Sequence, residues 1–502
     1  MESRGVDRSS DRLATANAWA ARGATVPAQG ARVDERRWAD GVAVLAAAAA
    51  ISMGILAGMA LQSTPIIVGA SLVAIVAAVA APPLGLMILA FMAALQSPLL
   101  PAPGFNAFLV GAILLGWVYR LPIDRPRLSV GAPLFLLVAF ILYVFVQQLP
   151  EMASGYLGPQ AYLVASLFIQ LMTVAGAALA ASVVLSGRDP YPFLAALLMS
   201  ATFAAALAIL AGAGALGHPL DRLISRPDEI SRAVGPFGNP NYFGQYLASA
   251  IALAAAWFLA RRSTRSAWLL VGSVLVTATA IALTMSRGGF IALFAAVVAL
   301  AFLRSRRLGA AAVVVGVLLT LLVYPAFVDW RLGTNTSGSG AIAAALARSD
   351  EGRLGGVLAG LPLFAASPIF GVGFGHYSFM AITLAGSPVP IAAHNWYLNV
   401  LGELGLVGIA VWALLLLAVA IRLRSSHPVA RSIGVAVFAT LVVGSLFLEQ
   451  PTSFQTSALT VLVLTAVLVA DWGPPTMEHA RGRADRATAA ADGRRPRAVG
   501  AV

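Results

Sequence analysis

The chain has 502 residues, 59% hydrophobic and only 11% charged, with a formal charge of +12 and no cysteine. Apolar content on this scale excludes an ordinary soluble domain, and the missing thiols exclude disulfides and cysteine-based metal or redox sites. The sequence contains no lysine, and its arginines fall between apolar stretches, so topology accounts for the charge and no nucleic-acid partner is expected.

Taken in order, residues 1–38 are polar and carry Arg4, Arg8, Arg12, Arg22, Arg32, Arg36 and Arg37. They predict a cytoplasmic basic extension without fixed structure. The first apolar segment opens near Gly41, too late and too long for a plain signal peptide, and reads as a retained helix. About 20 apolar residues cross a bilayer core. Segments of that kind cover 41–61, 65–81, 84–98, 105–119, 131–149, 161–185, 191–216, 241–260, 267–285, 289–303, 309–327, 404–421, 429–448 and 455–472. The expected fold is an all-α polytopic membrane domain over 39–472, a bundle of about 12–14 transmembrane helices. The lower count applies if 65–98 holds one tilted helix and a re-entrant piece. External loops are expected at 217–240 and, at greater length, at 328–403. Residues 473–502 read as a second disordered basic tail, cytoplasmic like the first.

With the first residues placed in the cytoplasm, the inner loops carry Arg120, Arg125, Arg127, Arg188, Arg261, Arg262, Arg265, Arg304, Arg306, Arg307, Arg422, Arg424 and Arg431. The outer loops 62–64, 99–104, 150–160 and 449–454 carry none, as the positive-inside rule requires. Three outer places depart from it. They hold Arg222, Arg226 and Arg232; then Arg287; then Arg331, Arg348 and Arg353, followed by His394. Arginine appears outside only where loops are long or unusually built, which points to an anionic ligand at the outer face.

His394-Asn395 opens an apolar segment at that face. Imidazole, with an unperturbed pKa of about 6.5, suits proton transfer near neutrality. The pair reads as a general base with Asn395 orienting the ring or holding a substrate hydroxyl, or more simply as an interfacial cap on the next helix. Glu403, nine positions on, would face the opposite way on one continuous helix and point into the bundle. Gly405 and Gly408 would share a helix face and allow close packing. In Arg232-Ala233-Val234-Gly235-Pro236-Phe237-Gly238-Asn239-Pro240-Asn241, Asn239 suits a helix N-cap and Pro240 the first helical position. Helix initiation is one reading. The other is anion binding at the helix N-terminus, with Arg232 gripping phosphate. Arg287, in Ser286-Arg287-Gly288-Gly289, either snorkels to lipid headgroups or meets the same ligand. Arg353 is a surface charge or a further ligand contact. The glycine-rich stretch 368–375 lacks the Lys-Ser/Thr ending of a phosphate loop, so no nucleotide site is expected. No metal-ligand spacing is present, and no metal or other cofactor is expected.

Together these motifs resemble the O-antigen ligase and O-antigen polymerase superfamily of bacterial envelope glycosyltransferases. The family's late signature is His, then Asn, Ser or Gln, nine residues, and Gly-x-x-Gly. His394-Asn395, residues 396–404 and Gly405-Leu406-Val407-Gly408 match it at each fixed position. Segment 232–241, Ser286-Arg287-Gly288 and the Pro-x-x-Gly-x-Gly at 368–373 are also similar to family patterns, over roughly residues 190–472. One departure lies at Arg353, where Val357 rather than leucine stands at the expected spacing and Leu358 follows.

The resemblance implies an inverting transferase in the inner membrane with its site on the outer, periplasmic side. The donor would be a glycan linked to polyprenyl diphosphate, and the acceptor a lipid, glycan or protein hydroxyl. His394 would serve as base, with Arg232, Arg287, Arg353, Asn239, Asn241 and Asn395 contacting substrate. A polymerase of the same superfamily is the nearest alternative, and a transporter or flippase for lipid-linked or anionic substrates is the alternative from another class.

Overall fold

The computed structural model describes residues 28–95, 104–124, 131–154, 159–217, 220–224, 232–260, 264–333, 339–387, 389–448 and 453–472. The basic stretch up to residue 27, the tail 473–502 and Arg226 lie outside the described residues.

The described residues form α-helices and short 3-10 turns, with no strand. In chain order the helices are α1 (Ala28–Leu61), α2 (Thr64–Ala80), α3 (Pro82–Met92), α4 (Gly104–Asp124), α5 (Ala132–Ser154), α6 (Pro159–Leu185), α7 (Tyr191–Gly212) and α8 (Pro240–Ala260). They continue as α9 (Thr264–Thr284), α10 (Arg287–Arg304), α11 (Arg306–Gly333), α12 (Ser339–Ala366), α13 (Tyr377–Ala385), α14 (Trp396–Arg424), α15 (Pro428–Gly444) and α16 (Phe454–Val469). In lipid a backbone must satisfy its own polar groups, and apolar sequence of this composition does so as helix. Proline in the first turn of α2, α3, α7, α8 and α15 occupies positions whose N–H has no intrahelical acceptor.

Among the described residues, nine helices are long and apolar enough to cross a membrane, and α2, α3, α15 and α16 are shorter apolar helices. The chain is an all-α polytopic membrane protein. Each apolar segment expected from the sequence coincides with a helix, α1–α11 and α14–α16. The segment 328–403 is expected from the sequence as a long external loop between helices of the bundle. Over its described residues it is largely helical, and Ala359 and Leu363 of α12 with Tyr377 and Ala381 of α13 pack against Ala393 in a small core of their own.

Helix α8 lies at the centre and packs against α9, α10, α15 and α16. Its Phe243, Tyr246, Leu247 and Ala248 are fully buried. Small residues let the backbones close in. Gly244 lies against Ser286 and Gly289, Gly444 against Gln245, and Gly288 against Phe447. These contacts also fix direction. The N-terminal ends of α8 and α10 meet the C-terminal end of α15, whose Ser445 carbonyl accepts the Trp396 N–H at the start of α14 (2.8 Å). At the opposite end, Arg304 donates to the Leu259 carbonyl (3.3 Å), and the Asp471 N–H donates to the Arg188 carbonyl (3.0 Å). Arg422 and Arg424 close α14 at this end as well.

Candidate functional site

Four helix N-terminal ends, those of α8, α10, α14 and α16, converge at the end of the bundle away from Arg304 and Arg422. Their helix dipoles place partial positive charge at this end, while caps already accept several of the first N–H groups.

Arg232 is built into it. The residue is 9% exposed. Its Nε donates to the Thr284 carbonyl at the end of α9 (3.0 Å), and its Nη2 donates to Asn241 Oδ1 in the first turn of α8 (2.9 Å). The next residue, Ala233, donates its N–H to the Leu283 carbonyl (3.0 Å). The 232–241 segment is thereby stapled to the link between α9 and α10 that carries Arg287. Asn239 Oδ1 accepts the Asn241 N–H (2.8 Å), the local bond that starts α8. Arg287 is the first residue of α10, half-buried, behind the N-cap Ser286, whose hydroxyl accepts the Gly289 N–H (3.2 Å). Beside Ala233–Gly235 opens a cavity of about 310 Å³, walled by Ala208, Ala211, Ile224, Val234 and Leu283.

His394 lies half-buried, two residues before α14, with a φ of 50°. Left-handed backbone is uncommon for a side-chain-bearing residue, costs on the order of 1–3 kcal/mol and persists only where its surroundings enforce it. Here they do. Ala393 and Trp396 are fully buried on either side, and the Ser445 carbonyl pins the Trp396 N–H. Asn395 is the helix cap, its Oδ1 accepting from the N–H groups of Tyr397 and Leu398 (3.0 and 3.2 Å). The oxygens of Asn239, Asn241 and Asn395 thus serve the fold, which leaves their amide Nδ2 groups as the atoms that can meet a substrate.

Arg353 approaches from α12. Gly356, one turn further along the same face, lies directly against the backbone of Ala392 and Ala393. The four segments carrying Arg232, Arg287, Arg353 and His394 therefore meet at one end of the bundle. Arg287 joins His394 through Gly288–Phe447 and Ser445–Trp396, and Arg353 joins it through Gly356–Ala392.

The Gly-x-x-Gly reading needs correction. Gly405 and Gly408 do not share a face of one straight helix, because Gly405 has φ 65° and ψ −161° and breaks α14. The loop 368–373 fills the break. The N–H groups of Leu406 and Val407 donate to the carbonyls of Pro368 and Ile369 (2.9 and 3.2 Å). In return, the N–H groups of Val372 and Gly373 donate to the carbonyls of Gly402 and Glu403 (3.0 and 2.9 Å). A Cβ at Gly405 or Gly371 would collide with the opposing backbone. The two glycine motifs are thus one joint. Glu403, 3% exposed, locks it: one carboxylate oxygen accepts the Tyr377 N–H (2.9 Å) and the other the Asn399 amide (3.0 Å).

Residues not singled out in the sequence complete the joint. Tyr143 on α5 donates to the Leu404 carbonyl (2.9 Å), Gln147 to the Phe370 carbonyl (3.1 Å) and Gln148 to the Phe374 carbonyl (3.0 Å). The Tyr377 hydroxyl donates to the Gly356 carbonyl (2.6 Å), tying α12 to α13. The only linear hint was polar Tyr and Gln at α5 positions 143, 147 and 148, one helix face in an otherwise apolar span.

No curated protein matches the chain. Residues 272–413 match the family model described as O-Antigen ligase, a stretch that runs from within α9 past the break in α14 and includes Arg287, Arg353, His394 and the glycine joint, with Arg232 outside it. Over that stretch the chain is similar to the O-antigen ligase family, and the match supports a place in that superfamily.

Proposed function

We propose that this protein is a metal-independent membrane glycosyltransferase of the ligase type. It moves a glycan from a polyprenyl-diphosphate donor to an acceptor hydroxyl at the outer face of the bacterial inner membrane. The observation that carries the reading is the meeting of Arg232, Arg287 and Arg353 segments with His394 where four helix N-termini converge.

The chemistry follows from charge. A diphosphate brings negative charge to headgroup depth, and cleavage of the glycosyl–phosphate bond adds more to the leaving oxygen. Guanidinium groups and helix N-termini stabilise that developing charge. The apolar cavity beside Ala233–Gly235 suits the first isoprene units of the lipid. The imidazole of His394 takes the proton of the acceptor hydroxyl as its oxygen attacks the anomeric carbon. A single displacement inverts that carbon, and the lipid diphosphate departs with the electron pair.

The test is transfer in proteoliposomes supplied with a polyprenyl-diphosphate glycan and an acceptor. His394→Ala is expected to lower turnover by about 10²–10⁴-fold, the range for loss of a general base. Unchanged turnover removes His394 from the mechanism. Surface glycan from a deletion strain separates ligase from polymerase. Unattached polymer indicates a lost ligase, and single repeats on the acceptor indicate a lost polymerase.

A further inference from the structure

No Asp, Glu or Arg lies between Arg353 and Glu403, and the first 22 residues of that interval, 354–375, contain no ionisable side chain at all. Within it, α12 has two unlike faces. Gly356, Ala359, Gly360 and Leu363 turn toward α13 and the start of α14, whereas Leu354, Val357, Leu358 and Leu361 are exposed at 60%, 41%, 58% and 70%. The exposed set follows i, i+3, i+4, i+7 spacing, one continuous stripe down the helix. Ile369 and Phe370, just beyond it, are each 56% exposed. Among the described residues nothing covers this stripe, and water against it is unfavourable.

The packing gives its depth. Gly356 lies against Ala392, Gly360 against Leu398, Leu363 against Gly402, and the loop at Ile369 against Gly405. Helix α12 therefore runs side by side with α14 and in the same direction. Trp396 is level with Ser445 and, through Phe447, with Gly288, the outer ends of α15 and α10. From Trp396 to Gly405 is nine residues, about 14 Å of helical rise. The chain then returns. Tyr377 meets Glu403, and Ala381 packs with Ala393 back near the starting level. The loop at the tip leaves its backbone polar groups paired, by the α14 break and by Tyr143, Gln147 and Gln148. Non-helical backbone at membrane depth is tolerated only on that condition.

We infer that residues 354–375 form a re-entrant hairpin, entering the bilayer beside α14 from the His394 end and presenting Leu354, Val357, Leu358, Leu361, Ile369 and Phe370 to lipid acyl chains. The outer-leaflet chains are the occupant of the exposed stripe. This inference stands on packing alone and does not require the transferase reading. Its consequence for that reading is lateral access: lipid chains reach the wall that carries Arg353 without leaving the membrane.

The absence of native cysteine makes the test direct. Single-cysteine variants Leu361→Cys, Phe370→Cys and Glu351→Cys are labelled with bimane in detergent and reconstituted into phosphatidylcholine vesicles. Each is titrated with a chain-nitroxide phosphatidylcholine and, separately, with aqueous iodide. Bimane at 361 and 370 is expected to be quenched by the nitroxide lipid and about tenfold less by iodide than bimane at 351. Iodide quenching equal to that at 351 overturns the inference, since the hairpin then lies in water. Protection from both quenchers also overturns it, since protein and not lipid then covers the stripe. Neither readout uses glycan transfer, so the hairpin and the catalytic reading fail separately.

Discussion

At the scale of single residues, the backbone of His394 separates a chemical role from a structural one. Its φ of 50° is a conformation that asparagine also adopts readily. His394→Asn is therefore expected to retain the wild-type melting temperature in detergent while losing transfer as His394→Ala does. A melting temperature that falls together with activity would mean that the imidazole holds the fold. Arg232 allows a complementary test. Two bonds diverge from one guanidinium, to the Thr284 carbonyl and to Asn241 Oδ1, a geometry that a single ammonium does not reproduce. Arg232→Lys keeps the charge and leaves one buried acceptor unpaired, at a cost of about 1–3 kcal/mol. The expected result is a higher donor KM with a smaller effect on kcat, measured in the same proteoliposomes. An unchanged KM separates Arg232 from donor binding.

Among elements, the joint between α14 and the 368–373 loop is the most demanding feature. Gly405→Ala places a Cβ into the Ile369 carbonyl and holds alanine at a positive φ, which alone costs roughly 1–2 kcal/mol. The variant is expected to melt several degrees lower and to expose the 368–373 loop to limited proteolysis. Wild-type melting and wild-type digestion would show that the break is not needed. This joint also marks where the linear sequence ceased to be readable. Apolar runs located the spanning helices, since each needs only its own composition, and Asn239-Pro240 located the start of α8, since a cap is a local device. Gly405 and Gly408 look from the sequence alone like a packing face. Helical spacing is the default for an uninterrupted apolar run, and the loop that competes for the α14 backbone lies about thirty residues upstream. Segment 328–403 is expected from the sequence as a long external loop, and several of its glycines provide close helix contact. The arginines and His394 were recognisable as unusual, whereas Tyr143, Gln147 and Gln148 acquire their meaning only beside carbonyls more than 200 residues away.

For the whole molecule, function depends on which end of the bundle faces the cytoplasm. The two ends differ in kind. One collects Arg188, Arg304, Arg306, Arg307, Arg422, Arg424 and Arg431 on helix termini and short links, where they are exposed. The other sequesters Arg232 and half-buries Arg287 and Arg353. Arginine near helix ends in short loops is retained on the cytoplasmic side, so the first end is expected inside and the His394 end outside. Exposed arginines on short links are the ones this rule counts, whereas Arg232, Arg287 and Arg353 are withdrawn from solvent by the fold. Reporter fusions at two exposed positions test it. A fluorescent protein joined after Ser426, between α14 and α15, is expected to fluoresce, and alkaline phosphatase joined after Ser387 is expected to be active. The reverse pattern would put His394 in the cytoplasm, where an acceptor at the outer face cannot reach it, and the proposed reaction would have to be abandoned even with every bond around Arg232 intact.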